Sequence, residues 1–333
     1  MDWRKGFGAS YYASIVDPST WKSIERFEIK GGSIKRTGSG LMQSGDIDCT
    51  KFRYGEKWVR IYLITRQGGS SATLPLFTGL SSCPDDDIHG YRIDNSVELY
   101  SVLKPCEDVL LPRGYYVPAG SNGADVIKRL LRVTPAPVVV EGTSPSLASH
   151  IVSEDGENHL TMAQKVLAGI NWRMKIDGDG TIRLLPVSRD PVVAYNPFDN
   201  DCLETEIKIT YDWYSAPNVF RAVEGDAYAE ARDDDPKSPF STVSRGREIW
   251  MEETSVHLNT GETLAQYAVR RLKEEQAVSM TASYDRRFHP DVQVSDVVSH
   301  NYLAQGLTGN YMVTSQSIEL SHGARTSEEV IKV

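Results

Sequence analysis

The chain of 333 residues has only four cysteines, and none lies near another in sequence. Cys49, Cys83, Cys106 and Cys202 form no C-x-x-C pair, so no thiol redox motif or zinc ribbon is encoded. Reduced and partly buried thiols are expected. The seven histidines (His89, His150, His159, His257, His289, His300 and His322) never fall three or four residues apart, which leaves local metal ligation unsupported. G-x-S-x-G, G-x-x-x-x-G-K-[ST] and H-E-x-x-H are all missing. No apolar run reaches the length of a membrane helix. The opening residues, Met1 to Gly6, are polar with no apolar run behind them, so no secretory signal is read and folding in a cytoplasm is expected. A basic excess is missing too. Lys and Arg number 36 against 45 Asp and Glu, a formal charge of −9, which argues against a nucleic-acid-binding surface.

What is present is a series of short alternating segments. Residues 1–112 read as all-β. Phe7 to Ile15 is a first strand. Trp21 to Gly31 alternates through Ile24, Phe27 and Ile29 and leads to Gly31-Gly32, read as a turn. Val59 to Ile64 is the most regular strand, with a hairpin loop at Gln67 to Ser71, and Leu74 to Thr78 and Tyr91 to Tyr100 follow. Residues 113–197 differ. Ala124 to Arg132 and Thr161 to Ile170 carry helical spacing, the first with Ser121 or Asn122 as cap. Trp172–Ile176 and Thr181–Leu185 form a hairpin about Asp177-Gly178-Asp179-Gly180. The chain downstream offers no distal carboxylate, so this is a turn rather than a calcium loop. Pro191 to Pro197 reads as a linker.

In residues 198–333, Asn218 to Glu224 alternates as a strand. Asp233-Asp234-Asp235-Pro236-Lys237-Ser238-Pro239 follows, where adjacent carboxylates and two prolines predict a solvated loop. Thr263 to Gln276 is the clearest helix, with Asn259, Thr260 or Thr263 as cap. Leu264, Tyr267, Ala268, Arg271 and Leu272 share its inner side, while Arg270, Lys273, Glu274 and Glu275 face water. Strands are expected at 278–284, 296–302, 310–313 and 317–320. Asp85-Asp86-Asp87 reads as an exposed turn, and the Trp and Tyr residues read as core or interface rather than as sugar-stacking surfaces.

Several weak motifs occur in a fixed order: D-D-D-P-K-S-P-F-S-T (233–242), the helix with Ala265, Ala268 and Leu272, P-x-x-x-x-x-D-V-V (290–298), G-x-Y-x-V-x-S-x-S-I-x-L (309–320) and T-S-E-E-V (326–330). In this order the last third resembles the C-terminal domain of phage baseplate and tail-tip hub proteins, and residues 1–112 resemble the family more loosely. The resemblance implies a mainly β fold with α+β character. Two tail-tube-like β-barrel domains, 1–112 and 198–333, would flank a small mixed module, 113–197. It implies a structural virion protein of the tail tip, assembled in the host cytoplasm, with no catalytic residue and no cofactor. The chain would form a homotrimeric hub that adapts a six-fold tube to a three-fold spike. The implied partners are further copies of the chain, the tail tube or distal-tail ring, the spike or tip protein, and the tape measure protein. DNA would pass an acidic channel without specific binding. The same resemblance makes the acidic loop and the helix assembly contacts, through Asp233, Asp234, Asp235, Lys237, Ser238, Arg270, Arg271 and Glu274. The rival readings are a carbohydrate-binding or a cell-wall-degrading tail-tip protein.

Overall fold

The computed structural model describes residues 1–50, 52, 55–83, 87–90, 92–196, 206–254, 256, 258, 261–278 and 280–333. Asp85, Asp86, Cys202, His257 and the cap candidates Asn259 and Thr260 lie outside the described residues.

The first third holds eight strands: β1 (Gly8–Asp17), β2 (Lys22–Phe27), β3 (Ile29–Thr37), β4 (Gln43–Thr50), β5 (Lys57–Gln67), β6 (Ser70–Ser82), β7 (Asp87–His89) and β8 (Arg92–Ser101). On β5, Val59, Ile61 and Leu63 are fully buried, as their period of two requires. Burying each contributes roughly 1.5–3 kcal/mol. The β5–β6 hairpin turns on Gly68-Gly69, both with positive φ, which suits a two-residue turn. Gly31-Gly32 is not the expected turn. Both glycines lie inside β3, and Gly32 pairs with Ile47 at a φ of +136°. A β-carbon at Gly32 would stand 2.1 Å from the Asp46 carbonyl oxygen. The dipeptide serves close approach of two strands beside a bulge rather than a change of chain direction.

Helix α1 (Lys104–Asp108) precedes the middle module and lends Cys106 to its core; the module itself contains β9 (Tyr116–Val117), α2 (Gly123–Leu130), β10 (Val138–Val140), β11 (Ile151–Val152), α3 (His159–Gly169), β12 (Trp172–Ile176) and β13 (Ile182–Pro186). Asn122 caps α2, accepting from the Asp125 amide at 3.1 Å, and Asn158 caps α3 through the Thr161 amide at 2.8 Å. The second cap starts α3 two residues before the predicted start. Ile127, Leu130, Met162, Val166, Trp172 and Ile182 share one core.

This module is bonded to both neighbours. At the tip of the β12–β13 hairpin, the Gly178 carbonyl accepts from the Thr78 hydroxyl at 2.8 Å. The Asp179 carbonyl accepts from Trp21 Nε1 at 2.9 Å and Arg60 Nη2 at 2.8 Å. On the other side, buried Asp296 receives Lys175 Nζ at 2.8 Å and Arg173 Nη2 at 3.3 Å.

The last part holds β14 (Pro191–Tyr195), β15 (Ile207–Tyr211), β16 (Val219–Glu224), β17 (Ala227–Arg232), α4 (Thr242–Arg245), β18 (Trp250–Thr254), α5 (Leu264–Val278), β19 (Met280–Arg287), β20 (Val297–Tyr302), β21 (Leu307–Glu319) and β22 (Arg325–Lys332). The expected linker is a strand: β14 runs parallel to β20, with Tyr195 buried beside His300. The strands expected at 310–313 and 317–320 are one strand, β21, with an irregularity between Val313 and Ser315. That strand pairs β3, Ile318 opposite Ile34, and joins both ends of the chain in one sheet ordered β15-β19-β22-β21-β3-β4-β8-β6-β5-β1-β2. Among the described residues, no strand pairing closes either half into a ring. The protein is mainly β with few helices.

Strands β15 and β19 pair directly, Tyr211 opposite Met280, yet residues 212–279 lie between them. This stretch folds as an inserted module. Its three-stranded sheet, β17-β16-β18, carries α5 on one face, around Phe220, Ala222, Ala231, Tyr267, Ala268 and Leu272.

Candidate interaction surface

The acidic loop and the long helix identified in the sequence both belong to the inserted module. On α5, Tyr267, Ala268 and Leu272 point into the core as the helical spacing requires. Thr263 caps the helix, its hydroxyl accepting from the Gln266 amide at 3.3 Å. Arg270 is clamped by Glu262 at 2.7 Å and Glu274 at 3.0 Å. Arg271 reaches Glu253 at 3.1 Å, Glu274 at 3.0 Å and Glu275 at 2.7 Å. Tyr267 donates to the same Glu253 at 2.9 Å, and burial first, then that carboxylate, pushes the phenol up to about 12.

The acidic loop is folded on itself. Asp233 accepts from the Ser238 hydroxyl at 2.6 Å and from Gln276 Nε2 of α5 at 3.0 Å, so one contact joins the loop to the helix. Asp234 binds the Thr242 hydroxyl and Arg232, which together hold its carboxyl below the usual carboxylate range. Asp235 accepts from the Lys237 amide at 2.9 Å, a side-chain-capped turn that leaves both residues exposed. The eight residues singled out in the sequence therefore fall into two groups, Asp233 to Ser238 in the loop and Arg270, Arg271 and Glu274 on the helix.

The sequence reading missed the outer face of the three-stranded sheet. Arg221 of β16 lies opposite Glu230 of β17 and Glu252 of β18, and pairs with both, at 2.8 and 3.2 Å. Its guanidinium carbon lies 4.9 Å from the Trp250 ring and 5.6 Å from the Tyr228 ring. Trp250 donates its indole N–H to Glu248 at 2.9 Å, and Glu248 pairs with Arg232. Arg232 and then Trp250 lower the Glu248 pKa. Asp234, Arg232, Glu248, Trp250, Arg221, Glu230, Glu252 and Tyr228 thus form one continuous network. The period of two on 219–224 and 227–232 was the available signal, since it sets Arg221, Tyr228 and Glu230 on one side.

Other aromatics behave as packing residues. Trp3 meets Phe7 and Phe288 edge-on, Trp21 meets Trp58, and Tyr12 stacks on Tyr62 at 4.8 Å. Trp213, Tyr214 and Trp250 differ, being 45 %, 83 % and 46 % exposed. Among the described residues, no group of three or more His, Cys, Asp or Glu is placed to hold a metal ion. Burial pushes the thiols of Cys49 and Cys106 up to about 11 and 12, which leaves them unreactive.

The architecture has counterparts among solved structures. A tail protein from Neisseria meningitidis superposes with a TM-score of 0.72 over 98% of this chain and 96% of its own, at 15% identity. The chain has the fold of phage tail proteins. A 43 kDa tail protein of prophage MuSo2 from Shewanella oneidensis gives 0.68 over 97% and 96%, at 13% identity. A type VI secretion component of Escherichia coli, described as structurally similar to T4 bacteriophage tail proteins, gives 0.54 over 92% and 73%, at 8% identity. No family model and no curated protein sequence matches the chain. The tail-protein fold here spans the inserted module as well as the continuous sheet, since the likeness runs through almost the whole chain.

Proposed function

We propose that this protein is a structural component of a phage tail or a related injection machine: a homotrimeric hub at the distal end of the tail tube. The observation that carries the reading is the end-to-end likeness to tail proteins, in which nearly the whole chain is accounted for by their fold. In this reading residues 1–112 and 198–333 act as two tube-like barrel units flanking the module 113–197, so three chains offer six units to a six-fold tube and three to a spike. The exposed outer strands β2 and β15, at the two ends of the sheet path, suit lateral contact between copies. Neighbouring copies, the tube or distal-tail ring, the spike or tip protein and the tape measure protein are the partners. DNA passes an acidic lumen without specific binding, and no step of chemistry is assigned.

Light scattering on the purified protein across a concentration range, with negative-stain images of the same sample and of the protein mixed with short tail tubes, tests this. A threefold mass with a central hole, alone or on the tube end, is expected. A monomer that leaves tube ends bare would overturn it. Charge reversal at Asp233, Asp234 and Asp235 that leaves the ring intact would remove the loop from the assembly contacts.

A further inference from the structure

The outer face of the inserted sheet carries an unusual pairing of groups. Tyr228 and Trp250 are 67 % and 46 % exposed, although ring faces of this size are costly to leave in water. They flank Arg221, so each ring already receives a guanidinium over its face. Each guanidinium of the network is paired with two carboxylates, Arg221 with Glu230 and Glu252, Arg232 with Asp234 and Glu248. Four carboxylates therefore stand against two cations, beside two exposed aromatic rings. The inserted stretch as a whole, 212–278, has thirteen Asp and Glu against eight Lys and Arg. The ion pairs hold the rings in place before any partner arrives, so little side-chain freedom remains to be lost on contact.

We propose that this face docks a protein partner through arginine side chains that the partner presents. Arginine fits both features at once. Its planar guanidinium stacks on Trp250 or Tyr228 and bonds to a carboxylate in the same plane. The net negative face attracts a basic partner and repels an acidic one. The proposal concerns this surface alone and stands whether or not the protein forms a trimeric hub.

The test is fluorescence anisotropy of a labelled short peptide alternating arginine and glycine, titrated with the full-length protein at low and at physiological salt. Loss of both rings in Tyr228→Leu/Trp250→Leu leaves net charge unchanged and is expected to weaken binding about tenfold. Tyr228→Phe/Trp250→Phe keeps two aromatic faces and is expected to bind as the unaltered protein does. Tyr116→Ser, at an exposed tyrosine of the middle module, is the control and is expected to change nothing. The matching lysine peptide is expected to bind more weakly than the arginine peptide. Equal binding by the leucine variant would overturn the proposal, because bulk acidity would then explain the attraction. So would binding of chitohexaose that depends on the two rings while the peptide does not bind, which would mark a glycan surface.

Discussion

Gly178 lies so close to Pro75 that a β-carbon on it would stand 1.9 Å from the Pro75 carbonyl oxygen. The hairpin tip of the middle module is therefore pressed onto strand β6 with no room for a side chain. Its carbonyls are held there by Thr78, Trp21 and Arg60. The turn is a joint between two parts of the chain, made of backbone acceptors rather than of its carboxylates.

Gly178→Ala should destabilise the protein by about 3 kcal/mol, because the contact is with backbone that cannot yield. Gly225→Ala, at a hairpin glycine with positive φ and open space, should cost about 1 kcal/mol. Thermal or urea unfolding of the two variants measures the difference. Equal losses would mean that the tip is not seated on β6.

A second expectation concerns the pair Arg286 and Glu328, buried to 2 % exposure each. Burial alone would raise the Glu328 pKa, but Arg286 outweighs it and the carboxyl lies below its usual value. Glu328→Leu strands a buried guanidinium and should cost about 3–5 kcal/mol. Arg286→Met combined with Glu328→Leu should recover part of that loss, since the guanidinium is removed together with its carboxylate, while buried Arg36 and the Gln316 amide still lose Glu328. A double variant no more stable than the single one would refute this account.

Acid sensitivity should come from His300. Burial holds its pKa down from 6.5 to about 4, with Tyr284 hydroxyl on Nε2 at 3.0 Å. Between those values the unfolded chain binds a proton that the folded one refuses. The contribution is therefore complete above pH 6.5 and falls away as pH drops to about 4, by about 3 kcal/mol in total. His289, also lowered by burial, acts in the same direction. Urea midpoints across this range should fall less steeply in His300→Phe than in the unaltered protein. Parallel slopes would exclude His300 as the source.

Asp296 should control how firmly the middle module is held. Its carboxylate takes both Lys175 and Arg173, and it also caps the Gln293 amide at 2.9 Å. Asp296→Asn should cost about 2 kcal/mol, less than a fully buried pair because the two cations are partly exposed. Hydrogen exchange should quicken in β12 and β13 more than in β5 and β6. Uniform quickening would mean global destabilisation instead.

Local elements were readable wherever local chemistry decides them. The helices α2, α3 and α5, the β12–β13 hairpin and the β5 strand follow from apolar periodicity, caps and glycine turns within a few residues of one another. Gly31-Gly32 is ambiguous in sequence, because a glycine pair signals a turn and close strand approach alike. Only the neighbouring strand, with the Asp46 carbonyl in the way, distinguishes them. The Pro191–Tyr195 strand was hidden for a similar reason. Its partner β20 lies about a hundred residues downstream, and no local pattern names a partner.

The candidate surface divides along the same line. The acidic loop and the charged side of α5 were visible as composition, and their order carried the resemblance to tail hub proteins. Trp250 could not be told from the packed Trp3 or Trp21 by sequence, since burial depends on what the rest of the chain lays over each ring. The sequence by itself determined the helices α2, α3 and α5, the β5–β6 and β12–β13 hairpins, the β-rich character and the acidity. Tertiary structure alone decided that β3 pairs β21, that residues 212–279 form a separate module between paired strands, and that Arg221 is held between two exposed rings. Pairing between distant strands depends on the free energy of the whole packed chain, and that quantity is not written in any single stretch of it.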